Sequence, residues 1–303
     1  MSNVGNTNNA NNANNAGNVG NTSNTSNANN VGKVGNVSNV SNVGNVGGAR
    51  SPRILGAYLR RSFLQWLAGR GFIVTLVANQ LTPPLIGLAV WTTALPRAGS
   101  IASYYVVLLF VRLLTVSYEN HTFSGRIYNG ELADDLLRPH PVILQPLTDN
   151  LALRLWHLLI GLPLLLATTL LVRIHLDAGD VALALPALLL AAVLQFLFTY
   201  LLALSAFWTE RAHGIVGFGT TLIFLLGGVA APLALFPPGV RAWGQALPFR
   251  AMLGFPVEVA VGGMGRGDLV SGYLWQAAWT AAFALGGVVA WRWGVRRYTA
   301  VGG

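Results

Sequence analysis

Residues 181–209 read VALALPALLLAAVLQFLFTYLLALSAFWT, and no charged residue interrupts this stretch between Asp180 and Glu210. An α-helix needs about 20 apolar residues to cross the hydrocarbon core of a bilayer, at a rise of about 1.5 Å per residue. The stretch is therefore long enough to span a membrane once. A helix on the surface of a soluble domain would instead carry a polar face.

Similar apolar runs recur along the chain. Four of them, each bounded by charged residues, occupy residues 71–96, 155–172, 212–240 and 269–291, and residues 103–118 form a fifth that is interrupted only by Arg112. The whole chain is 53% apolar and 10% charged, with a mean hydropathy of +0.53, whereas soluble domains carry about 25% charged residues. These features predict an all-α integral membrane protein with six transmembrane helices. The expected spans cover about residues 71–94, 101–118, 151–172, 181–207, 213–236 and 271–293.

The basic residues predict the orientation of these spans. Cytoplasmic loops of membrane proteins are enriched in Lys and Arg, and cytoplasmic N and C termini place 13 of the 19 basic residues inside. The inner residues are Lys33, Arg50, Arg53, Arg60, Arg61, Arg70, Arg126, Arg138, Arg154, Arg211, Arg292, Arg296 and Arg297, and the outer ones are Arg97, Arg173, Arg241, Arg250 and Arg266. Arg112 lies within the second span. Because the arginines surround helix ends and form no basic stripe, we expect no nucleic-acid partner.

The N-terminal part of the chain has a different composition. Asparagine occupies every third position from Asn3 to Asn45, with Lys33 the one replacement, and large apolar side chains are missing. We therefore expect residues 1–48 to be a disordered, Asn-rich repeat tail. Residues 51–70 combine apolar residues at helical spacing with arginines, which predicts a helix in the cytoplasmic membrane interface. Residues 71–297 would then form the transmembrane domain.

The most polar part of that domain connects the second and third spans. Residues 119–150 read ENHTFSGRIYNGELADDLLRPHPVILQPLTDN and contain five of the chain's ten acidic residues. Gly130, Pro139 and Pro141 indicate short helices separated by turns. The loop is too short to form an independent domain. A charged cytoplasmic loop of this kind is well placed to bind another protein.

This loop resembles a signature of the ABC-2 type permeases, the membrane subunits of ATP-binding-cassette exporters. Residues 127–139 follow the pattern I-x-x-G-x-L-x-x-x-L-L-R-P, which is similar to that of an uncharacterised six-span branch of the family. Residues 235–238 (LFPP), 247–249 (LPF) and 255–256 (FP), followed by Gly262, are similar to the short re-entrant helices between the family's last two spans. The resemblance covers about residues 51–297.

The resemblance implies that the loop couples the spans to a cytoplasmic ABC ATPase subunit. Closure of two ATPase subunits on ATP would push the loop and rock the spans between inward- and outward-open states. The implied coupling residues are Arg126, Ile127, Gly130, Glu131, Leu132, Asp134, Asp135, Leu136, Leu137, Arg138 and Pro139. Charged contacts would come from Glu131, Asp134, Asp135 and Arg138, and apolar contacts from Leu136 and Leu137. The family also implies a dimer with a second permease, either an identical copy or a sister chain.

Polar residues within the first two spans indicate a translocation path. Pro83 and Pro84 break the first span and expose backbone carbonyls beside polar side chains. In the second span, Arg112 either contacts an anionic group of the substrate, or snorkels or pairs with Glu119. A packed structural kink is the alternative for the prolines. The candidate path residues are Asn79, Gln80, Thr82 and Arg112.

No part of the sequence matches the phosphate-binding pattern G-x-x-x-x-G-K-[ST], and the glycine-rich residues 262–267 (GGMGRG) lack its lysine. We therefore expect a protein that is not an enzyme by itself and binds no cofactor or metal, with ATP and Mg²⁺ held by the partner ATPase. The chain would be a multi-pass protein of a bacterial inner (plasma) membrane that exports a substrate the sequence does not identify, with a lipid, an amphipathic drug, a peptide and a polysaccharide as the candidates.

Two other functions compete with the exporter permease. A secondary transporter or channel is one, although such proteins often have broken helices at matching positions of two inverted halves. An intramembrane enzyme is the other. His121, His140 and His213 lie near acidic residues but lack the H-E-x-x-H spacing of a metal site.

Overall fold

The computed structural model describes residues 51–95, 99–172, 174, 176–209 and 212–298. The predicted tail, residues 1–48, lies outside the described residues. Throughout the described part of the chain the regular elements are helices, and no strand occurs there. The fold is all-α, as the sequence predicts.

The helices follow the apolar runs of the sequence. The α-helices in the described ranges are α1 (Ser51–Ala68), α2 (Arg70–Ala94), α3 (Gly99–Thr115), α4 (Glu119–Tyr128), α5 (Leu132–Leu136), α6 (Leu144–Val172), α7 (Ala178–Leu204), α8 (Ala212–Leu226), α9 (Pro238–Ala246), α10 (Phe255–Val261) and α11 (Arg266–Arg297). Short 3-10 helices lie at Ser205–Phe207 and Leu233–Leu235, and a π-helix lies at Arg250–Gly254. The start of α7 is capped by Asp177, whose carboxylate accepts a hydrogen bond from the Gly179 amide at 2.8 Å.

Among the described residues, five helical segments are long and apolar enough to cross a membrane. They are Gly71–Ala94, Ser100–Tyr128, Leu144–Val172, Ala178–Phe207 and Arg266–Arg297. Their outer faces expose large apolar side chains such as Leu171 and Leu189, which suits contact with lipid. The chain is therefore an integral membrane protein. Within the expected fifth span, residues 213–236, the structure has a shorter helix, because α8 ends at Leu226 and its apolar part is Gly214–Leu226.

A pair of glycines ends α8. The Gly227 amide still donates to the Ile223 carbonyl at 2.9 Å, but Gly228 adopts a φ of +87°, which L side chains rarely adopt. A Cβ atom at Gly228 would lie 2.1 Å from the Tyr104 hydroxyl oxygen. That hydroxyl donates to the Gly228 carbonyl at 3.1 Å. The contact with α3 thus requires glycine and fixes the point at which the chain leaves the helix.

Short helices fill the chain between α8 and α11, where the sequence resembles re-entrant helices. In this region α10 packs against α3 and α7. Arg250 forms an ion pair with Glu258 at 2.5 Å and lies 5.5 Å from the centre of the Phe255 ring. Gly272 of α11 lets that ring approach closely, since a Cβ atom there would lie 2.0 Å from it. The region is packed into the bundle and held by a half-buried charge pair.

Helix α3 is the centre of the bundle. It packs against α2, α6, α7 and α10, and Tyr105, Leu108 and Leu113 on it are fully buried. Helix α1 lies against α6, where Phe63 stacks on Trp156 with ring centres 4.7 Å apart. Residues that reach inward from α3 therefore define the interior of the protein, and α1 braces α6 from outside.

We predict that Gly228→Ala lowers the stability of the protein by about 1–3 kcal/mol, because alanine is strained at this φ and clashes with Tyr104. Thermal unfolding in detergent, followed by size exclusion after heating, measures the change. Gly214→Ala on the same helix is the control, since a Cβ atom there meets nothing within 4 Å. Equal melting temperatures of the two variants would contradict this role of Gly228.

Candidate functional site

The loop predicted to bind an ATPase folds into α4 and α5, which are anchored to the bundle. A turn at Gly130, with a φ of +79°, separates the two helices. Ile127 and Leu132 are buried in an apolar cluster with Phe123 of α4 and Tyr200 of α7. These two predicted coupling residues therefore fasten the loop to α7 and do not face outward.

Asp135 is the centre of an ionic cluster that closes the loop. Its buried carboxylate pairs with Arg126 of α4 and, at 3.4 Å, with Arg138. Arg138 also donates to the Tyr58 hydroxyl of α1 at 3.4 Å, a hydrogen bond that raises the pKa of Arg138. The Tyr58 hydroxyl in turn lies 2.5 Å from Nε2 of His140. One carboxylate thus ties α1, α4 and the turn after α5 together, with arginines that stay charged at physiological pH.

The opposite face of the same segment is exposed. Leu137 is 86% exposed and Leu136 is 41% exposed, so two neighbouring apolar side chains lie at the surface of the loop. Glu131, Asp134 and Pro139 are exposed beside them. We call these five residues the docking face.

The structure therefore divides the predicted coupling residues into two groups. Five of them form the docking face, whereas Ile127, Leu132 and Asp135 point into the protein. The expectation that Asp135 makes a charged contact with a partner is corrected, because its carboxylate is already enclosed by two arginines. The half-buried Arg126 and Arg138 serve the same internal cluster.

A polar cavity of about 320 Å³ lies among α2, α3, α4, α7 and α8. Its lining includes three of the four predicted path residues, namely Asn79, Gln80 and Arg112. Further polar residues that line it are Thr115, Ser117, Tyr118, Asn120, His121, Gln195, Thr199 and Thr220, and its apolar lining consists of Pro83, Val116, Leu202, Ile223, Phe224 and Leu253. Polar side chains at this depth of a membrane bundle indicate a functional site.

Arg112 has a different partner from the one expected. Its Nε donates to the side-chain oxygen of Gln80 at 3.1 Å, and its Nη2 donates to the same atom. Glu119 instead accepts a hydrogen bond from Thr199 at 2.7 Å. Pairing of Arg112 with Glu119 was therefore the wrong expectation, because α7 supplies a partner for Glu119. Inserting an arginine at the middle of a span costs about 2.5–3.5 kcal/mol of free energy, which favours a functional role for Arg112 beside the cavity.

Thr82 is the predicted path residue that lies elsewhere. It is exposed, does not line the cavity, and donates to the Ala78 carbonyl at 2.7 Å. Pro83, by contrast, lines the cavity. Pro83 and Pro84 have no N–H group to donate to the carbonyls of Asn79 and Gln80, four residues earlier. The double proline therefore leaves main-chain acceptors at the cavity wall.

Several cavity residues were missed in the sequence. Gln195 and Thr199 are four residues apart and lie on one face of α7, where both line the cavity. Two polar residues at that spacing inside the stretch 181–209 are a signal that could have identified them. Asn120 and Thr220 gave no such signal, because each becomes relevant only through contacts between helices.

The histidines do not assemble into a metal centre within the described ranges, where no group of three or more His, Cys, Asp or Glu residues comes together. His121 lines the cavity and His140 lies beside Tyr58. The side chain of His213 and all of Glu210 lie outside the described residues.

Long apolar helices around a polar cavity define the class of this protein, a polytopic α-helical membrane protein. A family model described as ABC-2 family transporter protein matches residues 91–302. The chain belongs to this family and is a transporter permease. Membership implies, in general, association with an ABC ATPase. A comparison with curated proteins gave no match, and neither did a comparison with solved structures.

We predict that Asp135→Asn lowers stability by about 2 kcal/mol, since it removes the negative charge that two arginines share and turns an NH₂ donor toward one of them. Denaturation in detergent measures the loss. The neighbouring Asp134→Asn is a matched control, because Asp134 is exposed and outside the ion-pair cluster. If both variants unfold alike, Asp135 does not hold the loop in place.

Proposed function

We propose that this chain is the permease subunit of an ABC exporter. A separate ATPase subunit would hydrolyse ATP, and this chain would carry an amphipathic substrate across the membrane. Family membership supports the transport role. The exposed leucines at the end of a rigid loop are the observation that carries the coupling role, because they offer a second protein an apolar anchor.

The docking face would seat in the ATPase. Leu136 and Leu137 would fill an apolar cleft, and Glu131 and Asp134 would contact basic residues at its rim. The Asp135 cluster holds this face against α1 and α4, so that a push on the leucines moves whole helices. In this proposal ATP and Mg²⁺ bind to the partner, since the sequence of this chain lacks a phosphate-binding loop.

Six crossings with cytoplasmic termini are part of the proposal, and the contacts around α8 support them. Before α8, the Thr209 carbonyl accepts a hydrogen bond from Tyr128, at the end of α4. After α8, the Ala230 carbonyl accepts one from the indole of Trp91 at 2.9 Å, close to the end of α2. The chain from Thr209 to Ala230 thus runs between opposite ends of the bundle, although α8 alone is short. The docking face would then lie in the cytoplasm of a bacterial cell.

Loading from the cytoplasm follows from this orientation. His121 lines the cavity and is exposed on α4, the helix that leads to the docking face. The cavity therefore extends toward the end of the bundle where the ATPase would bind. A substrate entering there would be expelled when that end closes.

A second permease subunit would complete the transporter. Thr82 is exposed near the middle of α2 and Thr221 is exposed on α8, and neither residue lines the cavity. Polar side chains facing lipid at this depth are unfavourable, which favours their burial against another protein chain.

We predict that Leu137→Asp abolishes co-purification with the partner ABC ATPase subunit and reduces ATP hydrolysis by the complex by about tenfold or more, as expected for a central apolar anchor. The fold should be unaffected because Leu137 is 86% exposed. Leu235→Asp is the control, since Leu235 is also exposed but belongs to the segment after α8. Retained association in the Leu137 variant would contradict the docking face.

A further inference from the structure

The Arg112 guanidinium has no carboxylate partner within the described residues. No Asp or Glu there lies within 4.0 Å of it, and its hydrogen bonds go to a single atom, the side-chain oxygen of Gln80. A guanidinium has five N–H donors. Several of its donors are therefore directed to no protein acceptor in the described part, at the wall of a cavity.

The neighbouring charges do not compensate this arginine. Glu119 hydrogen-bonds to Thr199 and interacts electrostatically with Arg154. Arg154 is itself held by the Val116 carbonyl at 3.0 Å and the Ala192 carbonyl at 2.7 Å. The nearby acid thus interacts with a different arginine, and Arg112 has no acidic partner in the described part of the chain. In a low-dielectric interior such a charge strongly favours an anion beside it.

The other cavity residues fit an anion with an apolar extension. The side-chain oxygens of Asn120 and Gln195 are buried without a hydrogen-bond partner in the described protein. Amide groups can present their NH₂ instead of their oxygen, so both are able to donate to an anion. Ile223 and Phe224 of α8, together with Leu253, supply an apolar wall. Phe224 is 40% exposed, so this wall continues to the outer surface of the bundle.

We infer that the cavity binds the anionic group of an amphiphile, with a phosphate, sulfate or carboxylate on Arg112 and the apolar chain against α8. The inference rests on the proposed function and specifies its substrate class. Arg112 and Gln80 act together here, because Gln80 orients the guanidinium and leaves its remaining donors free. A neutral or cationic amphiphile would leave the charge of Arg112 unmatched.

Binding of radiolabelled dodecyl phosphate to the full chain, purified in dodecyl maltoside, tests this directly. The competitors are unlabelled dodecyl phosphate, dodecyl trimethylammonium and inorganic phosphate. We expect only the first to displace the label efficiently. Equal displacement by dodecyl trimethylammonium would overturn the anionic class, and equal displacement by inorganic phosphate would overturn the amphiphile class in favour of a free anion.

Two substitutions test the residues. Arg112→Gln should weaken dodecyl phosphate binding about tenfold or more, the usual effect of losing hydrogen bonds to a charged group. Gln80→Glu should weaken it similarly while keeping the arginine, because the new carboxylate supplies an internal counterion. This second variant keeps the inference testable if Arg112→Gln does not fold. Arg112→Lys should retain most of the affinity.

Arg292→Gln is the matched control, since Arg292 is exposed on α11 and its loss changes the net charge equally. Its binding should equal that of the unmodified protein. Unchanged binding in both the Arg112→Gln and Gln80→Glu variants would overturn the inference. Because the binding assay contains no ATPase, such a result would leave the proposed function intact. Association of the Leu137 variant with the ATPase tests the proposed function alone.

Discussion

Polar groups within a membrane bundle have to find their partners inside the protein, because hydrocarbon offers none. Many polar groups of this bundle meet that constraint by hydrogen-bonding to other groups of the protein. Glu119 bonds to Thr199, and Arg154 bonds to main-chain carbonyls of neighbouring segments. Arg112 is an exception, since the side-chain oxygen of Gln80 is its one hydrogen-bond partner in the described part of the chain and a cavity lies beside it, where the side-chain oxygens of Asn120 and Gln195 also lack a partner. The hydrogen bonds between protein groups hold the helices together, and the unused donors of Arg112 mark where a ligand would bind.

Helix α4 connects the two parts of the proposed transporter. Asn120 and His121 at its start line the cavity, and Arg126 near its end pairs with Asp135 beneath the docking face. A movement imposed on the exposed leucines would therefore reach the cavity wall through one short helix and one ion-pair cluster. The tight packing of Ile127 against α7 makes that transfer stiff, because packed interiors deform little.

The helical class and most spans could be predicted from the sequence, because uncharged runs bounded by arginine and acidic residues carry that information locally. The end of α8 could not. In the sequence, Gly227 and Gly228 are equally consistent with a surface that packs against another helix. In the structure they end α8, and this depends on Tyr104, which is 124 residues away. Likewise, Asp134 and Asp135 are indistinguishable in sequence, yet one is exposed and the other is enclosed by arginines. The partner of Arg112 also depended on which helices meet, since Gln80 and Glu119 were both within reach.

The proposed orientation requires the chain from Thr209 to Ala230 to cross the membrane, so that the docking face and α9 lie on opposite sides. Because the chain has no cysteine, Glu131→Cys and Gly239→Cys each introduce a single label site at an exposed position. With a membrane-impermeant maleimide, we expect intact cells to label only the Gly239 variant and inside-out vesicles to label only the Glu131 variant. Labelling of both variants from the same side would contradict six crossings and separate the docking face from any cytoplasmic motor.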